Sequence, residues 1–166
     1  VYHVKEFSFA PGGAANIAFL CKRLGIENVE LFGIVGEDVY GEKLINILEG
    51  ENVGTDAILM QSAGWSTYVY HKFYIESEEQ SRFDIGSNNA INDDLIDQLL
   101  SLLKERLSKY SCILINQQVP NGIHSPKLIE ELRALMEITS TKINWIADIR
   151  VSQDLYPVSY PHLRAH

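Results

Sequence analysis

The sequence predicts an α/β fold, a parallel sheet with helices packed on it, and three observations carry that prediction. Strand-like and helix-period segments alternate from Gly12 to Asp148. The run Ser111-Cys112-Ile113-Leu114-Ile115 has no in-and-out alternation, as a strand covered by helices on both faces should read. The chain has 166 residues and 46% hydrophobic content, enough to bury one substantial core, and right-handed crossovers are the expected connections.

The first element is a helix entered through Pro11-Gly12-Gly13. Ala14, Ile17, Ala18, Cys21 and Leu24 form its apolar stripe, and Gly25 stands at the place of a C-terminal cap. Paired glycines at a helix entrance let a ligand approach the main chain, where the first-turn N–H groups have no helical partner. Asn16 adds a carboxamide one turn later. Close packing of the helix on a sheet explains the same small residues, so both readings stand.

Val29 to Val35 reads as a buried strand, Gly36 to Gly41 as the turn after it, and Leu44, Ile45 and Leu48 as the core face of a second helix. Asp56 to Met60 is a short strand, and Ser62-Ala63-Gly64 a turn. Thr67 to Ile75 is aromatic and β-branched, hence one strand, with Gln80 to Asp84 as its partner. The residues between them are too polar and too many for a tight two-residue hairpin. The Tyr68, Tyr70 and Tyr74 face is read either as sheet packing or as a surface for ligand or a second subunit. Arg82 is read as a solvated residue paired with an acidic neighbour, or as a phosphate contact.

Asn92 or Asp93 caps a third helix carrying Leu95, Ile96, Leu99, Leu100, Leu103 and Leu107 inward. The strand at 111–115 ends in Asn116-Gln117-Gln118-Val119-Pro120, and ligands of open α/β sheets gather at such carboxyl ends. Gln118 can donate and accept there, or simply cap the following loop. Ser125-Pro126 opens a fourth helix with Leu128, Ile129, Leu132, Leu135 and Met136 inward. Ile143 to Asp148 is the last strand, and Asp148 either caps a turn or orients the site through hydrogen bonds.

Composition excludes several classes. Fourteen basic against twenty-two acidic residues give a net charge of −8, and no Lys/Arg cluster follows a phosphate backbone, so nucleic-acid binding is not expected. No apolar run approaches membrane-spanning length. Cys21 and Cys112 read as small buried thiols, five scattered histidines show no metal spacing, and the cytoplasm is the expected compartment. A dinucleotide-dependent oxidoreductase is disfavoured because Gly33-x-x-Gly36 does not fit Gly-x-Gly-x-x-Gly.

Gly12, Gly13 and Asn16, then Gly33, Gly36 and Asp38, then Val53, Gly54 and Thr55, together resemble the amino-terminal signature of the PfkB/ribokinase family of carbohydrate kinases. The agreement covers about fifty residues; the stretch from Gly25 to Gly36 is one residue longer than the commonest family spacing. The resemblance implies a ribokinase-like α/β/α layer sandwich with a small β lid built from strands at about 1–9 and 66–84. Tyr2 to Phe9 is the earlier lid strand. It implies ATP-dependent phosphorylation of a sugar or sugar-phosphate hydroxyl, with ATP and Mg²⁺ as cofactors of the full-length enzyme. Gly12, Gly13, Asn16 and Gln118 are the implied sugar contacts, and a homodimer through the lid is a further expectation.

Family members run to nearly twice this length, so residues 1–156 are expected to be the amino-terminal part of a kinase domain incomplete at both ends. The family's catalytic Gly-Ala-Gly-Asp segment is absent from the sequence, so no catalytic residue is assigned and the fragment is expected to be inactive alone. Residues 157–166 resemble a translated sequencing adaptor with one substitution and are read as a non-native tail. Gln80 to Asp84 together with Asn116 to Gln118 look like the heptose-7-phosphate kinase branch. The alternative function is a non-catalytic sugar sensor on the same fold.

Overall fold

The computed structural model describes residues 3–139 and 141–150, and over them the expected alternation of helix and strand is present. Among the described residues four α-helices are formed: α1 (Gly13–Arg23), α2 (Val39–Gly50), α3 (Asp93–Arg106) and α4 (Pro126–Thr139). Two pairs of parallel strands make the sheet. β1 (Gly33–Gly36) pairs with β2 (Ile58–Gln61) from Gly33↔Ile58 to Gly36↔Gln61. A second parallel pair joins β7 (Cys112–Gln117) to β8 (Asn144–Ile149), from Cys112↔Asn144 to Gln117↔Ile149. Between them in sequence lie four short antiparallel strands, β3 (Val69–His71), β4 (Tyr74–Ile75), β5 (Glu78–Glu79) and β6 (Phe83–Ile85).

Local chemistry sets the helix boundaries. Asn92 accepts the Asp94 N–H at 2.8 Å, which decides between the two expected caps of α3 in favour of Asn92. Ser125 accepts the Leu128 N–H at 3.2 Å, and Pro126 takes the first position of α4, where its missing N–H costs nothing. The inward faces of α3 and α4 then meet the sheet. Ile96, Leu100, Leu103, Leu128, Leu132 and Met136 pack with Ile34, Ile115 and Trp145 in the main core. Ala15, Ala18, Leu48 and Val53 form a second cluster, where the small residues of α1 bring it close to α2.

Among the described residues, β1 pairs only with β2 and β7 only with β8, so the parallel ladder stands in two halves. Leu114 and Ile146 are correspondingly 40% and 37% exposed, unusual for a strand run with no polar alternation. Cys112, expected to be buried, is exposed at the start of β7, and Cys21 is only partly covered.

Four other expectations are revised. The run Val29–Val35 narrows to a ladder beginning at Gly33, because Glu30 makes only an isolated bridge to Gly54 and its carboxylate takes hydrogen bonds from Arg106 and Tyr110. Burial, then the bond to Glu30, pushes the Tyr110 phenol well above its ordinary range. Thr67–Ile75 is broken into β3 and β4. The connection expected to be too long for a tight hairpin is in fact one: Tyr74↔Glu79 and Ile75↔Glu78 pair across Glu76 and Ser77, with φ of 50° and 73°. Two adjacent positive φ values give the twist a two-residue hairpin needs, without glycine. Finally, residues 3–9 form no strand. The segment is exposed and meets the fold through Phe9: Phe7 meets Phe9 edge-on at 4.7 Å, and Phe9 lies 6.5 Å from the Tyr40 ring and 5.5 Å from the Lys43 ammonium. The tail at 157–166 lies outside the described residues.

Candidate functional site

Three segments meet at the end of β1, and the glycines of the Gly33-x-x-Gly36-x-Asp38 run explain how. Asp38 caps α2: its Oδ1 accepts the N–H groups of Tyr40 at 3.0 Å and Gly41 at 2.9 Å. Its Oδ2 accepts the Thr67 N–H at 2.8 Å, and the Thr67 hydroxyl accepts the Gly36 N–H at 2.9 Å. One carboxylate thus ties the root of the lid to the body of the fold. Burial by itself raises the Asp38 pKa, but hydrogen bonds from the Thr67 backbone, the Gly41 backbone, the Thr67 hydroxyl and the Tyr40 backbone outweigh it and hold the carboxyl below its ordinary value.

The second junction is at the carboxyl end of β7, beside the start of α1. Gly13 has φ +53°, a left-handed conformation that suits glycine, and a Cβ built there would lie 3.4 Å from Asn116 Oδ1. Gly12 is extended, at φ −119° and ψ 168°, and provides no side-chain cap for α1. Its absent Cβ faces open space. Of the two glycines, Gly13 is therefore the one that backbone geometry requires. Opposite them, Asp148 Oδ2 accepts Asn116 Nδ2 at 2.8 Å and Gln118 Nε2 at 3.3 Å. The sequence left Asp148 between two roles; here it touches both strand-end amides, because Asn116 and Asp148 are register partners in the parallel ladder.

His124 supports this junction from the following loop, with Nε2 3.1 Å from the Asn116 carbonyl oxygen. A carbonyl only accepts, so Nε2 carries the hydrogen. Burial lowers the His124 pKa to about 4, the bond to Asn116 opposing it only in part. The residue was invisible to sequence reasoning, which saw five scattered histidines. Its proline-containing loop after the strand was the one available signal.

An open cleft of about 3360 Å³ runs past Gly12, Gly13, Asn116 and Gln118 and along the lid strand. That is several times the size of an ordinary small-molecule site, so it is a trough rather than a fitted pocket. Gly13, Asn116 and Gln118 lie together along it, beside Asp148. Asn16 is exposed on α1 and is not among the residues lining this cleft, so the structure groups three of the four expected sugar contacts and leaves Asn16 apart.

The lid contributes residues that the sequence had not singled out. His71 lines the cleft with its ring 5.4 Å from Tyr40 and 6.3 Å from Phe73. Tyr70 lines the cleft as well, with the Arg82 guanidinium 4.2 Å from its ring centroid. Arg82 also makes two bonds to Asp84, at 2.6 and 2.8 Å, so its cation has an acidic neighbour. That pair is exposed and adds little stability.

Residues 1–157 match the family model described as pfkB family carbohydrate kinase. The chain belongs to that family. Among curated proteins, the bifunctional protein HldE of Helicobacter acinonychis is 28% identical over 135 residues, which cover 81% of this chain and 28% of the relative. The chain therefore spans less than a third of the length of the curated relatives it matches. Among solved structures, phosphofructokinase-2 from Escherichia coli in complex with fructose-6-phosphate is 23% identical with a TM-score of 0.58, covering 85% of this chain and 44% of that one. Fructokinase with bound ATP from Xylella fastidiosa is 18% identical with a TM-score of 0.57, covering 89% and 44%.

At those identities the structures speak for the fold, and the fold of this pfkB chain is ribokinase-like α/β. The glycine and asparagine motifs that carried the resemblance therefore sit within a matched family domain. Among the described residues no group of three or more His, Cys, Asp or Glu is placed to hold a metal ion. Mg²⁺ in phosphoryl-transfer sites is held by one or two carboxylates together with phosphate oxygens and water, so that finding bears on sites built from protein ligands alone. No helix among them is long and apolar enough to cross a membrane.

Proposed function

We propose that this chain supplies the sugar-binding part and the lid of an ATP-dependent carbohydrate kinase acting on a sugar or sugar phosphate in the cytoplasm. The observation that carries the reading is the convergence of Gly13, Asn116 and Gln118 along a cleft bordered by the lid. Polar groups at the carboxyl ends of parallel strands, facing a helix start, suit a ligand made of hydroxyls. Gly12, Gly13, Asn16 and Gln118 are its assigned contacts, with Asn16 reaching the sugar from outside the present cleft lining. Their contribution to phosphoryl transfer is orientation, since none of them is a general base. The relationship to HldE, with the Gln80 to Asp84 segment, favours a heptose 7-phosphate as the acceptor.

Calorimetric titration of the chain with a panel of sugars and sugar phosphates tests this. Binding is expected, with Gln118→Ala weakening it about tenfold through loss of a partly buried polar contact. A panel in which nothing binds, or in which Gln118→Ala changes nothing, removes the carbohydrate reading. No ATP-dependent phosphorylation by the chain alone is expected in a coupled assay.

The lid is proposed to pair two copies of the protein. Phe73, Tyr74 and Phe83 are 45%, 58% and 65% exposed along it, an apolar surface with a use if a second lid covers it. Phe83→Ser is expected to shift a dimer toward monomer in light scattering; a monomer in both proteins overturns the pairing.

A further inference from the structure

The geometry points to Asp148 as a positioning residue that sets the hydrogen-bonding polarity of the subsite at the end of β7, making it select a hydroxyl over an anionic oxygen. This rests on the carbohydrate reading above and names the group that this subsite takes. Both strand-end amides turn their nitrogen to the same carboxylate oxygen, Asn116 at 2.8 Å and Gln118 at 3.3 Å. An ionised carboxylate only accepts, so neither amide can reverse without placing oxygen against oxygen. Their carbonyl oxygens therefore turn away from Asp148, and Asn116 Oδ1 lies on the side of Gly13. Facing them is the start of α1, where Ala15 and Asn16 donate to the Gly12 carbonyl and the N–H groups of Gly13 and Ala14 have no helical partner.

The subsite thus has acceptors on the strand side and donors on the helix side. A hydroxyl satisfies both, since it donates once and accepts as well. A phosphate or carboxylate oxygen has no hydrogen for the amide oxygens and would lie beside the Asp148 charge. The sequence reading gave Gln118 freedom to donate or accept; Asp148 removes half of that freedom. Asn116 and Asp148 are register partners, so the orienting contact is built into the ladder and does not depend on a loop.

The test uses the full chain, with D-fructose as the neutral probe and inorganic phosphate as the anionic one. In the unsubstituted protein, the side-chain amide protons of Asn116 and Gln118 are expected to show the shifts and slowed exchange of bonds to a carboxylate in ¹⁵N-resolved spectra. Asp148→Asn is expected to move both sets of signals, to weaken D-fructose about tenfold, and to leave phosphate binding equal or stronger; Asp148→Glu restores part of the sugar affinity. Unperturbed amide signals in the parent protein overturn the proposal even if no variant folds. Equal weakening of both probes overturns the selectivity. Failure of the parent protein to bind D-fructose overturns it too, while failure of the whole sugar panel removes the carbohydrate reading as well.

Discussion

Gly36→Ala is expected to destabilise the chain by about 3 kcal/mol or more, the sum of overpacking and of hydrogen bonds forced apart. A Cβ there would lie 2.2 Å from Asp38 Oδ2 and 2.8 Å from the Thr67 backbone nitrogen. The carboxylate is held by three N–H donors, and the second obstacle is main chain, so no rotamer change relieves the contact. Gly41→Ala meets the same joint from the helix side, its Cβ 2.4 Å from the Gly36 carbonyl oxygen. Asp38→Ala takes away the cap and leaves three N–H groups without their acceptor, at a cost of about 2 to 3 kcal/mol. Gly12→Ala is the control: its Cβ meets open space and its φ is −119°, so the change should cost no more than about 1 kcal/mol, the difference between glycine and alanine at a helix N-cap. Urea denaturation of the four variants at pH 7.5 measures all of this. A Gly36→Ala midpoint equal to that of Gly12→Ala would show that the joint at Asp38 does not hold the lid to the body.

The second large effect is a loss of stability on mild acidification, centred on His124. Its folded pKa of about 4 lies below the ordinary 6.5, so the unfolded chain takes up a proton between those values while the folded one does not. Stability is then complete above pH 6.5, falls as the pH drops toward 4, and falls no further from this residue below that. The loss is on the order of 3 kcal/mol across the window. His124→Gln keeps a donor for the Asn116 carbonyl but cannot take up a proton, so its stability profile should be flatter between pH 6.5 and 4. Parallel profiles for the two proteins would remove His124 as the cause. Asp38 acts lower on the scale: its contribution is complete above the ordinary aspartate value of 3.8 and is lost as the pH falls through its depressed folded value. The two steps are therefore separable by pH.

These two residues show what sequence reading captures. Asp38 was legible only as part of the glycine signature, inside a turn expected to run to Gly41; the structure starts α2 at Val39 and makes Asp38 its cap. Its grip on Thr67 was not, since that contact joins residues 29 apart and follows from the lid folding back on the body. His124 carried no signal beyond its place in the proline-containing loop after β7. Its neutrality is a property of surroundings assembled by β7 and the loop after it.

The elements misread were those where partners decide conformation. The Tyr74–Glu79 hairpin was judged too polar, yet Glu76 and Ser77 adopt the positive φ values that its turn requires. Residues 3–9 have strand composition, but they lie exposed with Phe9 alone against Tyr40 and Lys43, and no ladder forms. A strand is completed by a neighbour, whereas a helix satisfies its hydrogen bonds within itself.

By itself the sequence determined the α/β class, the four helices, the inward faces of α3 and α4, the Ser125-Pro126 start of α4, and the family to which the glycine pattern belongs; on α1 the expected stripe fails at Leu24, which is 83% exposed. These rest on periodicity, capping and short-range spacing, all written within a few residues of one another. Tertiary structure alone decided that Gly13, Asn116, Gln118 and Asp148 share one corner while Asn16 stands outside the cleft, and that Asp148 turns both amides the same way. Hydrogen-bond polarity belongs to groups brought together across a parallel register, and a register is chosen by the packing of the whole core.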